Sequence, residues 1–214
     1  MNLFVVGDIH GCYKTFKNLL KQWDRESELL LQVGDIIDRG NHTPETVKLC
    51  RELQKEYGAV FIKGNHEQIA LDYFLHKKEE KWFKKYYRTI HWQYTFANRD
   101  FEDDMRWINS LPVSWENDYI LLSHAGISNS PFAMDERHMD GLTWNRGPIK
   151  NIGRLQIYGH TPLKSGKPEY YAESNSWNID TGVYLKRNLA ALRLRPNGEL
   201  IEVITVSTVG VDVN

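Results

Sequence analysis

Only two cysteines, Cys12 and Cys50, occur in the 214 residues, and they form no Cys-x-x-Cys pair. A disulfide framework and a zinc-thiolate site are thereby excluded, and both thiols are expected to be reduced. Long apolar runs are also missing. No stretch approaches the roughly 20 residues needed to span a bilayer. The opening Leu3-Phe4-Val5-Val6 lacks the basic flank and apolar length of a signal peptide. The expectation is a cytoplasmic protein with no membrane partner. A charge excess of either sign is lacking too, because 27 Lys and Arg almost cancel 28 Asp and Glu. No global positive field is left to track a nucleic-acid backbone, so no nucleic-acid partner is expected and any phosphate must be bound locally. The 41% apolar and 26% charged fractions are those of a globular chain. A single core can fill this length, and one domain over residues 1–214 is expected.

What is present is a recurring pairing of strand-like runs with metal-ligand chemistry. Leu3 to Val6 ends in Gly7-Asp8, Leu29 to Val33 in Gly34-Asp35, and Ala59 to Ile62 in Gly64-Asn65. Later, Ile120 to Leu122 ends in Ser123-His124, Leu155 to Tyr158 in Gly159-His160, and Trp177 to Ile179 in Asp180-Thr181-Gly182. In α/β folds, ligands gather beyond the carboxyl ends of strands. Helical spacing separates the first three runs: Phe16, Leu19, Leu20 and Trp23 mark one stripe, Val47, Cys50 and Leu53 another, and Thr43-Pro44 opens the second helix. This order implies parallel pairing with right-handed crossovers. Leu189 to Leu194 and Leu200 to Val206 read as a closing antiparallel pair about Pro196-Asn197-Gly198. The fold expected from these runs is a sheet sandwich flanked by helices. Residues 77 to 110 are rich in charge and aromatics without Gly or Pro and read as a helical insertion. Packing is the first reading of its aromatics, ahead of a cap over a substrate cleft.

Each polar cluster has an ordinary explanation when taken alone. Gly7-Asp8-Ile9-His10-Gly11 suits a surface turn with a capping Asp. Gly34-Asp35-Ile36-Ile37-Asp38-Arg39-Gly40 suits an Asp-Arg pair on a loop. Asn65 and Gln68, in Gly64-Asn65-His66-Glu67-Gln68, fit a capping box. His124 and His160, each alone in a turn, suit structural histidines. Five such turns at five strand ends are not explained jointly in this way. A carboxylate-imidazole set of this kind suits manganese, iron or zinc better than calcium.

The ordered set Gly-Asp-x-His-Gly, Gly-Asp-x-x-Asp-Arg-Gly, Gly-Asn-His-Glu, His-Ala-Gly and Gly-His-Thr, spanning residues 7 to 161, resembles the calcineurin-like metallophosphoesterases. Within them it is most similar to the phosphoprotein phosphatase branch of serine/threonine phosphatases, in its small bacterial and phage form. The resemblance implies an α/β/β/α sandwich of two mixed sheets, in agreement with the strand reading. It implies two divalent ions, manganese foremost with iron or zinc compatible. Asp8, His10 and Asp35 would hold one ion, and Asp35, Asn65, His124 and His160 the other. It further implies Arg39 and Arg146 as phosphoryl clamps, and His66, oriented by Asp38, as the acid for the leaving group. Arg146, in Leu142-Thr143-Trp144-Asn145-Arg146, has as its alternative a surface Arg stacked on Trp144. Asp180 is read as a supporting residue behind the ligands. The activity implied is hydrolysis of phosphoserine or phosphothreonine in a phosphorylated protein, or of a small phosphate ester. The alternatives are a diadenosine polyphosphate hydrolase of the same chemistry and, more distantly, an inactive metal-binding scaffold.

Overall fold

The structure, a computed structural model, describes the backbone of residues 1–76 and 81–214 and the side chains of residues 1–75 and 89–214. The chain begins with β1 (Asn2–Val6), α1 (Tyr13–Leu19), β2 (Glu28–Gln32), α2 (Thr43–Tyr57) and β3 (Val60–Phe61), then three helices, α3 (Asn65–His76), α4 (Lys81–Ala97) and α5 (Phe101–Ser110). Seven strands follow: β4 (Ser114–Glu116), β5 (Ile120–Ser123), β6 (Leu155–Tyr158), β7 (Glu169–Tyr171), β8 (Ser176–Asn178), β9 (Asn188–Leu194) and β10 (Leu200–Ser207). Two mixed five-stranded sheets result, in the orders β10-β9-β1-β2-β3 and β4-β5-β6-β8-β7. β1, β2 and β3 run parallel, as do β5, β6 and β8, while β4, β7 and the β9–β10 pair run antiparallel to their neighbours.

The period of two along β1 divides its residues between two cores. Leu3 and Val5 pack between the sheets with Leu31, Val33, Ile120, Leu122, Ile157 and Leu192. Phe4 and Val6 face the helices, against Phe16, Leu19, Val47 and Cys50. Burial on both faces is why these strands read as unbroken apolar runs. α2 starts with Pro44 in its first turn and stops at Gly58, whose φ of 69° no other residue type adopts as cheaply. α1 is shorter than its stripe suggests, passing into a 3-10 turn at Leu20–Gln22. No side chain of its own caps it. Instead Asp212, from the far end of the chain, accepts the backbone N–H of Lys14 at 3.0 Å and of Thr15 at 2.6 Å, satisfying orphan donors of the first turn.

The insertion is helical as expected over α4 and α5, while residues 77 to 80 and the side chains of Trp82, Phe83, Tyr86 and Tyr87 lie outside the described residues. Ile90, Tyr94, Met105 and Ile108 join the helix-side core, so for these the packing reading holds. Trp92 and Phe96 are exposed and stack on each other. The buried Asp104 carboxylate ties the layer together. It accepts Arg99 at 2.5 and 2.6 Å, Arg51 at 2.6 Å and the Tyr94 hydroxyl at 2.9 Å. Burial, reinforced by the Asp104 charge, holds the Tyr94 hydroxyl well above the ordinary tyrosine pKa. An unfolded tyrosine ionises at about pH 10, so this contribution to stability is complete below that pH and is lost as pH rises toward the folded value. The wild type's excess in urea midpoint over Tyr94→Phe is therefore expected to be constant below about pH 10 and to shrink above it.

Candidate active site

The carboxyl ends of β1, β2, β3, β5 and β6 converge, and their loops are stitched to one another. Ile9 and His10 donate backbone N–H groups to Asp35 O at 3.0 and 2.8 Å, Gly40 N donates to His10 O at 2.8 Å, and Gly159 N donates to His124 O at 2.9 Å. Five residues singled out from the sequence, His10, Asp35, Asp38, Arg39 and His160, have φ between +48° and +72°. This left-handed region costs a residue with a Cβ of order 1–3 kcal/mol, so surrounding bonds must hold each turn. At the Asp35 turn the holder is Glu67. Its buried carboxylate accepts N–H groups of Asp35 and Gly64 through Oε2, both at 2.8 Å, and of Ile36 and Ile37 through Oε1 at 2.8 and 3.1 Å. Two loops are locked together by one anion. Close approach also demands glycine at two places: a Cβ on Gly64 would lie 2.2 Å from Asp35 Oδ1, and one on Gly159 would lie 1.9 Å from Asp8 Oδ1.

Asp35 is the centre of the cluster. Its Oδ2 lies 3.5 Å from His10 Nε2 and 3.9 Å from His66 Nε2, and its Oδ1 lies 3.4 Å from His124 Nε2. Two potential metal-holding groups follow, His10-Asp35-His66 and Asp8-Asp35-His124, and they share Asp35. By distance, His66 therefore sits beside His10 and Asp8 beside His124, whereas the family pattern pairs Asp8 with His10. Asn65 Oδ1 stands 2.9 Å from His124 Nε2 and 2.8 Å from His160 Nδ1, and those two nitrogens are 3.2 Å apart. Asn65 is thus turned into the cluster. The capping-box reading fails here: Gln68 sends its side chain to Asp72 Oδ1 at 3.2 Å.

The chemistry of the donors fits divalent cations. His10 Nδ1 faces Ile37 O at 3.1 Å and His124 Nδ1 faces Val33 O at 2.9 Å. A carbonyl can only accept, so in each neutral ring Nδ1 keeps the proton and Nε2 presents a lone pair toward Asp35. Asp8 Oδ1 and His160 Nε2 are buried without any hydrogen-bond partner. Five carboxylates, Asp8, Asp35, Asp38, Glu67 and Asp180, are buried together, an excess of negative charge that cations would relieve. Titration directions show the same demand for positive charge: burial lowers His124, but the Asp35 carboxylate outweighs it and raises this imidazole above its ordinary range, so a cation bound here would displace a proton from it. Burial, then the Asp180 and Asp35 charges, raise Asp8 well above the carboxylate range. Burial pushes Asp35 up as well, but His124, His66 and His10 outweigh it and hold this carboxyl well below that range. Burial lowers His10 to about 4 and, helped by His124, His160 to about 2, so both rings are neutral and competent as ligands.

The remaining predicted residues border this cluster. His66 Nδ1 is 2.7 Å from Asp38 Oδ2. Arg39 lies over the Tyr184 ring at 5.3 Å, and Tyr184 meets His10 edge-on at 4.8 Å. Arg146 is exposed at the rim, and its charge contributes to lowering His160. It makes no cation-π contact with Trp144 among the described residues. Asp180 accepts Gly182 N at 3.0 Å through one oxygen while its other oxygen is buried without a partner, and its charge raises Asp8. Three residues were not singled out beforehand: Glu67, Tyr184 and Gln93. Gln93, on α4, donates to Gly40 O and accepts from Thr43 N, both at 2.9 Å, and so fastens the Arg39 loop to the insertion. Only Glu67 had a visible signal, its place in the Gly-Asn-His-Glu motif.

The family model for calcineurin-like phosphoesterases matches residues 1–191. The chain belongs to the calcineurin-like phosphoesterases. These hydrolases work with two divalent ions, and the two groups sharing Asp35 are the candidate ligands here. This calcineurin-like phosphoesterase is similar to the asymmetrical bis(5'-nucleosyl)-tetraphosphatase PrpE of Anoxybacillus flavithermus, at 26% identity over 93% of the chain and 92% of the relative. It is also similar to serine/threonine-protein phosphatase 1 of Salmonella typhimurium, at 28% identity over 91% of the chain and 92% of the relative. Among solved structures, one described as a putative diadenosine tetraphosphatase shares the fold with a TM-score of 0.70 and 20% identity, covering 98% of this chain and 94% of the other. No helix among the described residues of this phosphoesterase is long and apolar enough to cross a membrane.

Proposed function

We propose that the protein is a phosphomonoesterase acting on phosphoserine or phosphothreonine in proteins, with manganese as its working metal. The observation that carries this reading is the His66–Asp38 pair at 2.7 Å. An alkoxide is a poor leaving group and needs a proton as the P–O bond breaks, and an imidazole oriented by a carboxylate is a suitable donor. Asp8, His10 and Asp35 would hold one ion, and Asp35, Asn65, His124 and His160 the other. Such ions supply Lewis acidity that neutralises phosphoryl charge and makes water nucleophilic near neutral pH. Arg39, braced by Tyr184, and Arg146 at the rim bind the phosphoryl oxygens through charge-assisted hydrogen bonds. His66 Nε2 hands its proton to the departing oxygen while Asp38 holds the ring through Nδ1.

The relatives named for dinucleoside tetraphosphate hydrolysis support a second reading with the same residues, in which the leaving group is a nucleotide. Rates on a phosphoserine peptide and on diadenosine tetraphosphate, with manganese added, separate the two. A faster reaction on the peptide is expected, and turnover of the dinucleotide alone would overturn the assignment. Metal binding has its own check. Saturating manganese, at about 100 times its Kd, adds about 2.7 kcal/mol for each ion bound to a protein that binds it only when folded. For a chain of this size the melting temperature is expected to rise by roughly 5–10 °C for each ion over that of the chelator-treated protein.

A further inference from the structure

A cleft of about 380 Å³ opens next to His160, lined by the following residue Thr161 and by Arg146, Tyr158, Leu163, Lys164 and Tyr171. Tyr158 and Leu163 in its lining are buried. The charged groups lining it do not cancel, two cations standing against one carboxylate. That carboxylate, Glu169, keeps its charge while accepting the Ser165 hydroxyl at 2.7 Å and the Tyr171 hydroxyl at 3.0 Å. The side chains of Arg146 and Lys164 have neither a hydrogen bond nor an ion pair among the described residues.

An unpaired lysine on an open surface is ordinary. These two cations share one concavity whose lining includes Thr161, the residue next to His160, and charge attraction in a concavity is less screened than on an open face. Its size lies at the lower end of the range for small-ligand pockets, about 300–1,000 Å³, enough for one substituent of a substrate. We propose that the cleft is an accessory anion subsite in which Lys164, together with Arg146, holds a second anionic group that the substrate carries beyond the phosphate being cleaved. The inference rests on the phosphoesterase reading of the metal centre. Arg146 stands between the two anions, whereas Lys164 serves only the second, so Lys164 sets substrate preference without taking part in bond cleavage. The second oxyanion can be a further phosphate of a nucleotide or an acidic side chain beside a phosphoserine.

The experiment uses the manganese-loaded protein, with manganese in excess throughout, and Lys164→Glu, a substitution at an exposed position. Calorimetric titration with inorganic phosphate and with pyrophosphate is expected to show pyrophosphate binding at least tenfold tighter to the wild type. In the variant that difference disappears while phosphate affinity stays within twofold, and Lys164→Arg restores it. Turnover of p-nitrophenyl phosphate, which has no second anion, is expected to change less than twofold. KM is expected to rise at least tenfold, with little change in kcat, for diadenosine tetraphosphate if the source is a nucleotide, or for a phosphoserine peptide with flanking glutamates if it is a protein. Equal affinity of the wild type for the two anions, or equal weakening of both by Lys164→Glu, overturns the subsite. Failure of phosphate itself to bind overturns the reading of the metal centre, and the subsite with it.

Discussion

Asparagine in place of Asp35 is expected to lower turnover by roughly a thousandfold or more, on the scale of losing an electrostatic stabiliser at a reaction centre, and to abolish binding of both metal ions. The substitution is nearly isosteric. It leaves the backbone N–H of residue 35 in the grip of Glu67, so the turn survives while the charge goes. Among the described residues, that charge is the only one paired with both His10 and His124, at 3.5 and 3.4 Å from its two oxygens. Metal content by elemental analysis, measured beside turnover, checks the result. Near-normal turnover with two bound ions would remove the bridging role.

The second large effect is selective. His66→Asn is expected to reduce kcat on a phosphoserine peptide by about 10²–10⁴, the range for loss of a positioned proton donor. Turnover of p-nitrophenyl phosphate should fall by less than about tenfold, because a nitrophenolate departs without a proton. Asp38→Asn should show the same selectivity with smaller losses, since it misorients the ring without deleting it. Equal losses on both substrates would mean that His66 acts on the phosphoryl group and not on the leaving oxygen.

Much of this arrangement was legible in the chain because apolar runs and ligand residues meet at strand ends. β1, β2, β5 and β6 were placed within a residue or two, and all six candidate ligands converge. The three-residue edge strands β4 and β7 carry too little periodicity to be read. Trp23 falls outside α1 because a stripe marks a buried face and not where helical hydrogen bonding stops. The least legible features depend on the backbone. Nothing in the letters shows that Glu67 accepts four amide protons from two loops, or that five non-glycine residues of the site adopt positive φ. Gln93 and Tyr184 were invisible for a related reason: their partners, Gly40 and Arg39, are more than 50 positions away in sequence.

The sheet order has a consequence for how the protein is made. β1 leaves the ribosome before both β2 and β9 yet lies between them, so one of its edges waits for residues 188–194 to be synthesised. Asp8 and Asp35 emerge long before His124 and His160, and the early carboxylates must remain in water until the second sheet arrives to enclose them. Domains tend to fold as units during synthesis. Here the pocket closes late, and cations in the cell can meet its acidic half before His124 and His160 exist.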